Sequence, residues 1–532
     1  MFDFILKGGF IVDGTGAPGY IADIGLKEGM ITAIGDLSDA ECAELIDVSN
    51  KYVAPGFIDA HSHSDLSVFM RWRAENILEQ GITTEIAGNC GVSISPMLPY
   101  DFGAIPFEIA PDASERLGKT DGSTRAVMAE IESGPLSANI AYYIGHGAIR
   151  GKVLGYQNRK PDKAEMDAMK ALLREGMESG ALGLSTGLIY PPGSYSDTDE
   201  IIELCKVCAD YGGLYATHLR NEGNRVVESV KEAIRIGAEA GVRVIISHHK
   251  IAGMHNEGLS RRTLKLAQDA RDNGQEVYFD QYPYDGGATS LLSALPPRFA
   301  AEGMDVLIQK LKDPGVRAEI KALLSQNSSE FENMIYASGP DGIYVSGLTS
   351  DSELNGKTLS EIAAIKEKDI YDTLFSILSE NRKASAIYRM TCQWDIDNIL
   401  KCPYTMIGTD SAQAQSLSAV FTQHPRGVGT FPKIIGQYCR DKKLFGIEEC
   451  IRKMTGLPAS AIGLATKGSI AVGKDADIVV FDFDKIDGKS TYGKLVPNEG
   501  IDLVFVSGRI SVKNGKRTAT QAGKLLRRRD DA

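Results

Sequence analysis

Residues 214–250 read LYATHLRNEGNRVVESVKEAIRIGAEAGVRVIISHHK. Two nearly continuous apolar runs, LYAT and VRVIIS, flank a stretch of helical periodicity, NRVVESVKEAIRIGAEAG, which ends in glycine. Strands apolar on both faces belong to a parallel sheet covered by helices, and glycine is the usual residue after a helix end. The unit is strand–helix–strand, and each strand closes on a histidine, His218 and His248.

The same unit recurs on both sides. ANIAYYIGHG precedes PDKAEMDAMKALLREGMESG, ALGLSTGLIY precedes DTDEIIELCKVCADYG, and VRVIISHHK precedes LSRRTLKLAQDARDNG and EVYFDQYPY. Serial alternation of this kind implies a parallel sheet, open or closed. The unusual polar residues fall at strand ends: His61 and His63 after APGFIDA, Cys90 after TTEIAGN, Asp410 after YTMIGT. Sites drawn from many strand ends are the habit of (β/α)8 barrels, whereas an open sheet gathers its ligand at one switch point. The expected fold is α/β, a (β/α)8 TIM-like barrel over residues 56–464. The two chain ends, 1–55 and 465–532, read as short alternating strands between Gly and Asp turns and are expected to meet in one small β-sandwich domain. From about 295 to 388 the alternation blurs, which predicts an inserted or extended loop late in the barrel, able to serve as a lid or a substrate-binding element.

The chain has 532 residues and a formal net charge of −12, which argues against a nucleic-acid footprint. The one basic cluster, KLLRRRDDA, reads as a solvated tail. The N-terminus lacks the pattern of a signal peptide, and no run approaches the ~18 apolar residues of a spanning helix, so a cytoplasmic enzyme without membrane contact is expected. The 8 cysteines are scattered, unlike a disulfide framework. CKVC at Cys205 and Cys208 lies on an amphipathic helix and reads as two buried apolar residues.

His-x-His on an extended segment projects both rings to one face, as chelation requires. Alone it is a weak signal, but His61 and His63 have company at neighbouring strand ends in Cys90, His218 and His248. Imidazole with thiolate suits Zn²⁺. Asp410 is the natural acid/base, taking a proton from water and handing it to a leaving nitrogen. This chemistry hydrolyses amide-like bonds of a small molecule. His249 must face away from His248, toward a helix. His146 reads equally well as a supporting or a merely structural residue, and His255 and His424 as candidates for substrate contact.

With these residues in place, the chain resembles the N-acyl-D-amino-acid deacylases (D-aminoacylases) of the amidohydrolase superfamily over nearly its whole length. GFIDAHSHSD, GITTEIAGNCGVSISP, GALGLSTGLIYPPGSYSDTDE, YATHLRNEG, ISHHKIAGMHNEG, DQYPYDGG, HPRGVGTFP and GSIAVGKDADIVVFD carry the likeness. The resemblance implies one tightly held zinc on Cys90, His218 and His248. It implies a second, weaker metal position on His61, His63 and Asp410, with Asp410 as general acid/base. Lys250, Tyr190 and Tyr282 match residues that hold the substrate's α-carboxylate and carbonyl, and Arg389 in IYRMT matches the arginine of that clamp. The chain departs from the family where GTDSAQ replaces GSDG and where Ile251 and Ala252 follow SHHK. Arg298 could read an acidic substrate side chain, or pair with a surface carboxylate. The alternatives are a cyclic-amide hydrolase of hydantoinase or dihydroorotase type, a deaminase, and a non-catalytic relative serving as a scaffold. The first typically uses a carboxylated lysine at the place of Cys90, and the last is opposed by the intact ligand set.

Overall fold

The computed structural model describes residues 1–71, 74–96 and 111–528. Among these, eight parallel strands form the centre: β1 (Phe57–Asp59), β2 (Ile82–Ala87), β3 (Asn139–Tyr142), β4 (Gly183–Gly187), β5 (Leu214–His218), β6 (Arg243–Ile246), β7 (Val277–Gln281) and β8 (Thr405–Ile407). β1 to β3 form one hydrogen-bonded set and β4 to β8 another. Both seams between the sets are bonded. Ala60 N donates to Ile407 O at 3.1 Å and Asp410 N to His61 O at 2.8 Å, joining β8 to β1. Leu182 N donates to Tyr142 O at 2.8 Å, joining the start of β4 to β3.

Helices Lys163–Glu178, Thr198–Asp210, Val226–Ala240 and Ser260–Asp272 follow β3, β4, β5 and β6 in turn. Local chemistry sets their ends: Asp162 and Glu165 make a reciprocal capping box at the first, and Gly241, with φ of 74°, stops the third. Cys205 and Cys208 are fully buried on Thr198–Asp210, as expected.

Strands from the two chain ends pair in one sheet. Tyr52–Pro55 pairs antiparallel with Ile478–Phe481 inside a nine-stranded sheet drawn from residues 2–55 and 478–517. Leu6, Leu26 and Val53 share a core cluster with Ile478 and Phe505.

Two expectations need correcting. The irregular region between β7 and β8 has strands of its own, Gly286–Ser290, Ile343–Ser346 and Ser385–Arg389, in an antiparallel sheet. It therefore starts before residue 295, because Gly286–Ser290 already belongs to it. Leu307, Leu311, Ile320 and Phe375 close a separate core beneath this sheet. The basic C-terminus is not a solvated tail. Leu526 N donates to Ile140 O at 2.7 Å and Arg528 N to Gly180 O at 2.8 Å, so this segment fills the base of the gap between β3 and β4. Arg527 also pairs with Glu132 at 2.7 Å. Sequence charge hid this, because the open strand edge that recruits the segment exists only after folding. Residues 529–532 lie outside the described residues.

Candidate metal centre

The strand ends bring the candidate residues together. Adjacency of β8 and β1 brings Asp410 against the His-x-His pair, with His63 Nε2 at 3.1 Å and His61 Nε2 at 3.6 Å from Asp410 Oδ1. Past β2 the chain turns sharply at Gly88, where φ is 79° and a Cβ would lie 2.2 Å from Tyr143 O, so only glycine fits. Asn89 Nδ2 then closes the turn onto Ile86 O at 2.8 Å. That swings Cys90 toward the centre, where Sγ lies 3.4 Å from His61 Nε2 and 3.3 Å from His248 Nε2. The ligand atoms of Cys90, His218 and His248 all lie within 4.8 Å of one another, and so do those of His61, His248 and Asp410. Cys90, His248 and Asp410 hold left-handed backbone angles of 54°, 33° and 50°. Such strain persists where the surroundings impose it and clusters at functional sites.

The donor set fits a metal cation. Both ring nitrogens of His218 are buried without a hydrogen-bond partner, an arrangement costly for a purely structural residue. His61 and His248 are each backed by a carboxylate. Asp280 Oδ1 lies 3.2 Å from His61 Nδ1, and Glu222 Oε1 lies 3.1 Å from His248 Nδ1. With the proton on Nδ1, His61 donates to Asp280 and turns a free Nε2 to the cluster, as metal-binding histidines do, while His248 Nδ1 faces both Glu222 Oε1 at 3.1 Å and the Lys250 ammonium at 2.8 Å. Burial holds His218 and His248 well below their usual titration range, so both stay neutral. Burial and then Asp410 push the Cys90 thiol well up. A metal must therefore displace that proton, which couples its uptake to pH.

The electrostatics around the cluster rest on residues that sequence reasoning gave no role. Glu222, 2% exposed, binds Lys250 Nζ through both oxygens at 2.8 and 2.9 Å. Burial works against the Lys250 charge, but Glu222 outweighs it and holds the ammonium above its usual range. Arg426, 3% exposed, reaches Asp410 Oδ2 at 2.5 Å. Burial pushes Asp410 up, yet the Arg426 charge and the His63 hydrogen bond hold it well below the ordinary carboxylate range. The signals were present: Glu222 follows His218 by one helical turn's spacing, Asp280 interrupts an apolar strand, and Arg426 sits in HPRG.

A cavity of about 240 Å³ opens beside the cluster, lined by His63, Cys90, His218, His248 and Asp410. Lys250, Tyr190, Tyr282 and Arg426 also line it. The Tyr282 ring lies between two cations, with Lys250 Nζ 5.8 Å and Arg426 Cζ 4.8 Å from its centroid. Tyr190 packs edge-on against His218, with centroids 5.0 Å apart. Arg389 is elsewhere: it is exposed and forks onto Asp285 at 3.0 and 2.8 Å. Its neighbours Tyr388 and Met390 line the cavity, and strand periodicity sends the residue between them to the opposite face. Arg298 is half exposed and pairs with Glu319 at 2.7 Å, the surface alternative weighed above.

The remaining histidines separate cleanly. His249 bonds Thr263 Oγ1 on helix Ser260–Asp272 at 2.8 Å, facing away from His248 as expected. His146 is tied to Glu200 at 2.8 Å and serves structure. His424 is buried against Gly286 O at 2.9 Å, and His255 contacts Asn224 Oδ1 at 2.7 Å. Neither lines the cavity.

Comparison with known proteins adds an independent line. The amidohydrolase family model matches residues 44–512. D-aminoacylase of Alcaligenes xylosoxydans xylosoxydans is 36% identical over 540 residues, which span 99% of this chain and 98% of the relative. The solved N-acyl-D-glutamate deacylase of Bordetella bronchiseptica, complexed with zinc and a phosphonate mimic of the tetrahedral intermediate, is 32% identical. It superposes with a TM-score of 0.83 over 99% of each chain. A D-aminoacylase structure with a binuclear metal centre, marked by one-metal activation and second-metal attenuation, is 34% identical. Its TM-score is 0.81, and the match covers 99% of this chain and 100% of that one.

Proposed function

The chain belongs to the amidohydrolase family, to the group that includes D-aminoacylase, and from that membership we propose that it is a zinc-dependent deacylase of N-acyl-D-amino acids, releasing a carboxylate and a free D-amino acid. The observation that carries the reading is the pairing of a thiol–imidazole cluster with two buried cations around Tyr282 in one cavity. An N-acyl amino acid presents an amide beside a carboxylate, and this cavity offers something to each. The eight bonded strands are read as a closed (β/α)8 barrel over residues 56–464. The two-ended sheet is read as a small β-sandwich of residues 1–55 and 465–532, with the segment between β7 and β8 as an insertion.

Cys90, His218 and His248 would hold the tight zinc, and His61, His63 and Asp410 a second, weaker metal. When bound, zinc supplies Lewis acidity to the scissile carbonyl and the attacking water. The rest falls to the chain. Lys250, Tyr282 and Arg426 fix the substrate's carboxylate, Arg426 taking the role first given to Arg389. The Tyr190 hydroxyl supports the carbonyl oxygen as charge develops there. Asp410, kept ionised by Arg426, takes a proton from water as its oxygen bonds to the acyl carbon. The same proton then passes to the amide nitrogen as the C–N bond breaks. A cyclic-amide hydrolase fits less well, because Cys90 occupies the place where such enzymes typically use a carboxylated lysine.

The test is an assay of zinc-loaded protein on paired N-acetyl-D and N-acetyl-L amino acids. Hydrolysis of the D series is expected, and no cleavage of any N-acyl-D-amino acid would sink the proposal. In the same assay Arg426→Lys should raise KM by roughly 10–100-fold, because lysine cannot reproduce a fork that spans Asp410 and a carboxylate. An unchanged KM would remove Arg426 from the clamp.

A further inference from the structure

Among the described residues, the segment between β7 and β8 contributes one carboxyl to the cavity lining, Glu332, beside Met334. Glu332 is 6% exposed. Its Oε2 accepts the Glu222 backbone N–H, while Oε1 is buried without a hydrogen-bond partner. Through Glu222 it adjoins Lys250, at the end of the cavity assigned above to the substrate's α-carboxylate. In an amino acid the side chain and the carboxylate share one carbon, whereas the acyl group lies beyond the amide nitrogen. A protein group next to the carboxylate clamp is therefore within reach of the side chain rather than of the acyl group.

The sign of the charge there is decisive. The cations lining the cavity, Lys250 and Arg426, are already paired with Glu222 and Asp410. Arg298, which could have greeted an acidic side chain, is outside with Glu319. An acidic side chain arriving at this wall would meet the Glu222 carboxylate, with Lys250 and Arg426 already given to the α-carboxylate. An amide side chain would instead donate to the unpartnered Oε1, and a carboxyl oxygen accepts such a bond in either protonation state.

We propose that Glu332 sets the side-chain specificity of the site, admitting N-acyl-D-amino acids whose side chains are uncharged and donate a hydrogen bond, and rejecting acidic ones. This rests on the deacylase reading and goes beyond it by naming the side-chain class. Glutamine and glutamate differ at that one terminal group, which makes them the discriminating pair. A buried acceptor left unpaired is worth a discrimination of roughly 10–100-fold.

The experiment compares kcat/KM for N-acetyl-D-glutamine and N-acetyl-D-glutamate in zinc-loaded wild type, Glu332→Gln and Glu332→Ala. Each rate is referred to N-acetyl-D-leucine in the same protein. Wild type should favour glutamine over glutamate by roughly 10–100-fold, and both variants should shrink that ratio about tenfold or more. A wild type that prefers glutamate overturns the inference without needing any variant. So does a ratio that survives both substitutions, and in either case cleavage of the leucine substrate leaves the deacylase reading standing. Failure to cleave all three substrates defeats that reading first, and this inference with it.

Discussion

Asp410→Asn should lower kcat on an N-acetyl-D-amino acid by roughly 10²–10⁴-fold, the usual share of a general acid/base, with zinc still bound at Cys90, His218 and His248. The two halves of that result come from different geometry. Asp410 Oδ1 faces the imidazoles of His61 and His63, while Oδ2 is held by Arg426 at 2.5 Å. Asparagine keeps the shape and one acceptor oxygen but has no basic oxygen to take a proton. The tight cluster does not include residue 410, so metal content there should not change. The pH dependence has a definite sign. Burial raises the Asp410 carboxyl, but the Arg426 charge, helped by the His63 hydrogen bond, lowers it further, to well below the ordinary range. The base form is therefore present through the mildly acidic range, and activity lost to protonation of Asp410 should vanish only below the usual carboxylate pKa of about 3.9. The measurement is kcat with metal content by elemental analysis on the same sample. Turnover retained in Asp410→Asn would refute the acid/base role.

The candidate ligands were legible in the sequence for a physical reason. Parallel strands buried on both faces have few polar residues, so a histidine or cysteine at the end of an apolar run stands out, as at His218, His248 and Cys90. The supporting carboxylates were not legible in the same way. Asp280 and Glu222 look like ordinary acids until the barrel-like ring brings Asp280 to His61, far away in the chain, and folds Glu222 back onto His248. Arg389 and Arg426 present the same ambiguity. Arg426 lies in HPRGVGTFP and Arg389 in IYRMT, and only the strand register shows that Arg389 faces out while Tyr388 and Met390 face in. The C-terminal segment illustrates a third limit. Its charge pattern says tail, and its role as filler between β3 and β4 depends on an edge that no local pattern encodes.

The conspicuous His61–Ser62–His63 stretch and the less conspicuous His218 should respond oppositely to removal. His218→Ala should weaken zinc binding by at least ~10²-fold, more than losses typical of supporting residues, and should abolish turnover at ordinary zinc concentrations. Neither His218 Nδ1 nor Nε2 has a hydrogen-bond partner, and the nearest carboxylate oxygen, Glu222 Oε2, is 3.5 Å from Nε2, which leaves both nitrogens free for a metal. His63→Ala should leave about one zinc per chain and a measurable rate, because a closed three-ligand protein set remains. His63 is partly exposed, and its contact is with Asp410 at 3.1 Å. The stability readout should follow the same order. A metal that binds only the folded chain raises the melting temperature in proportion to its affinity, so zinc should stabilise wild type and His63→Ala but not His218→Ala. Elemental analysis and thermal melts with and without zinc test both statements. Zinc lost from His63→Ala but kept by His218→Ala would reverse the assignment and move the tight site to the pair at the end of β1.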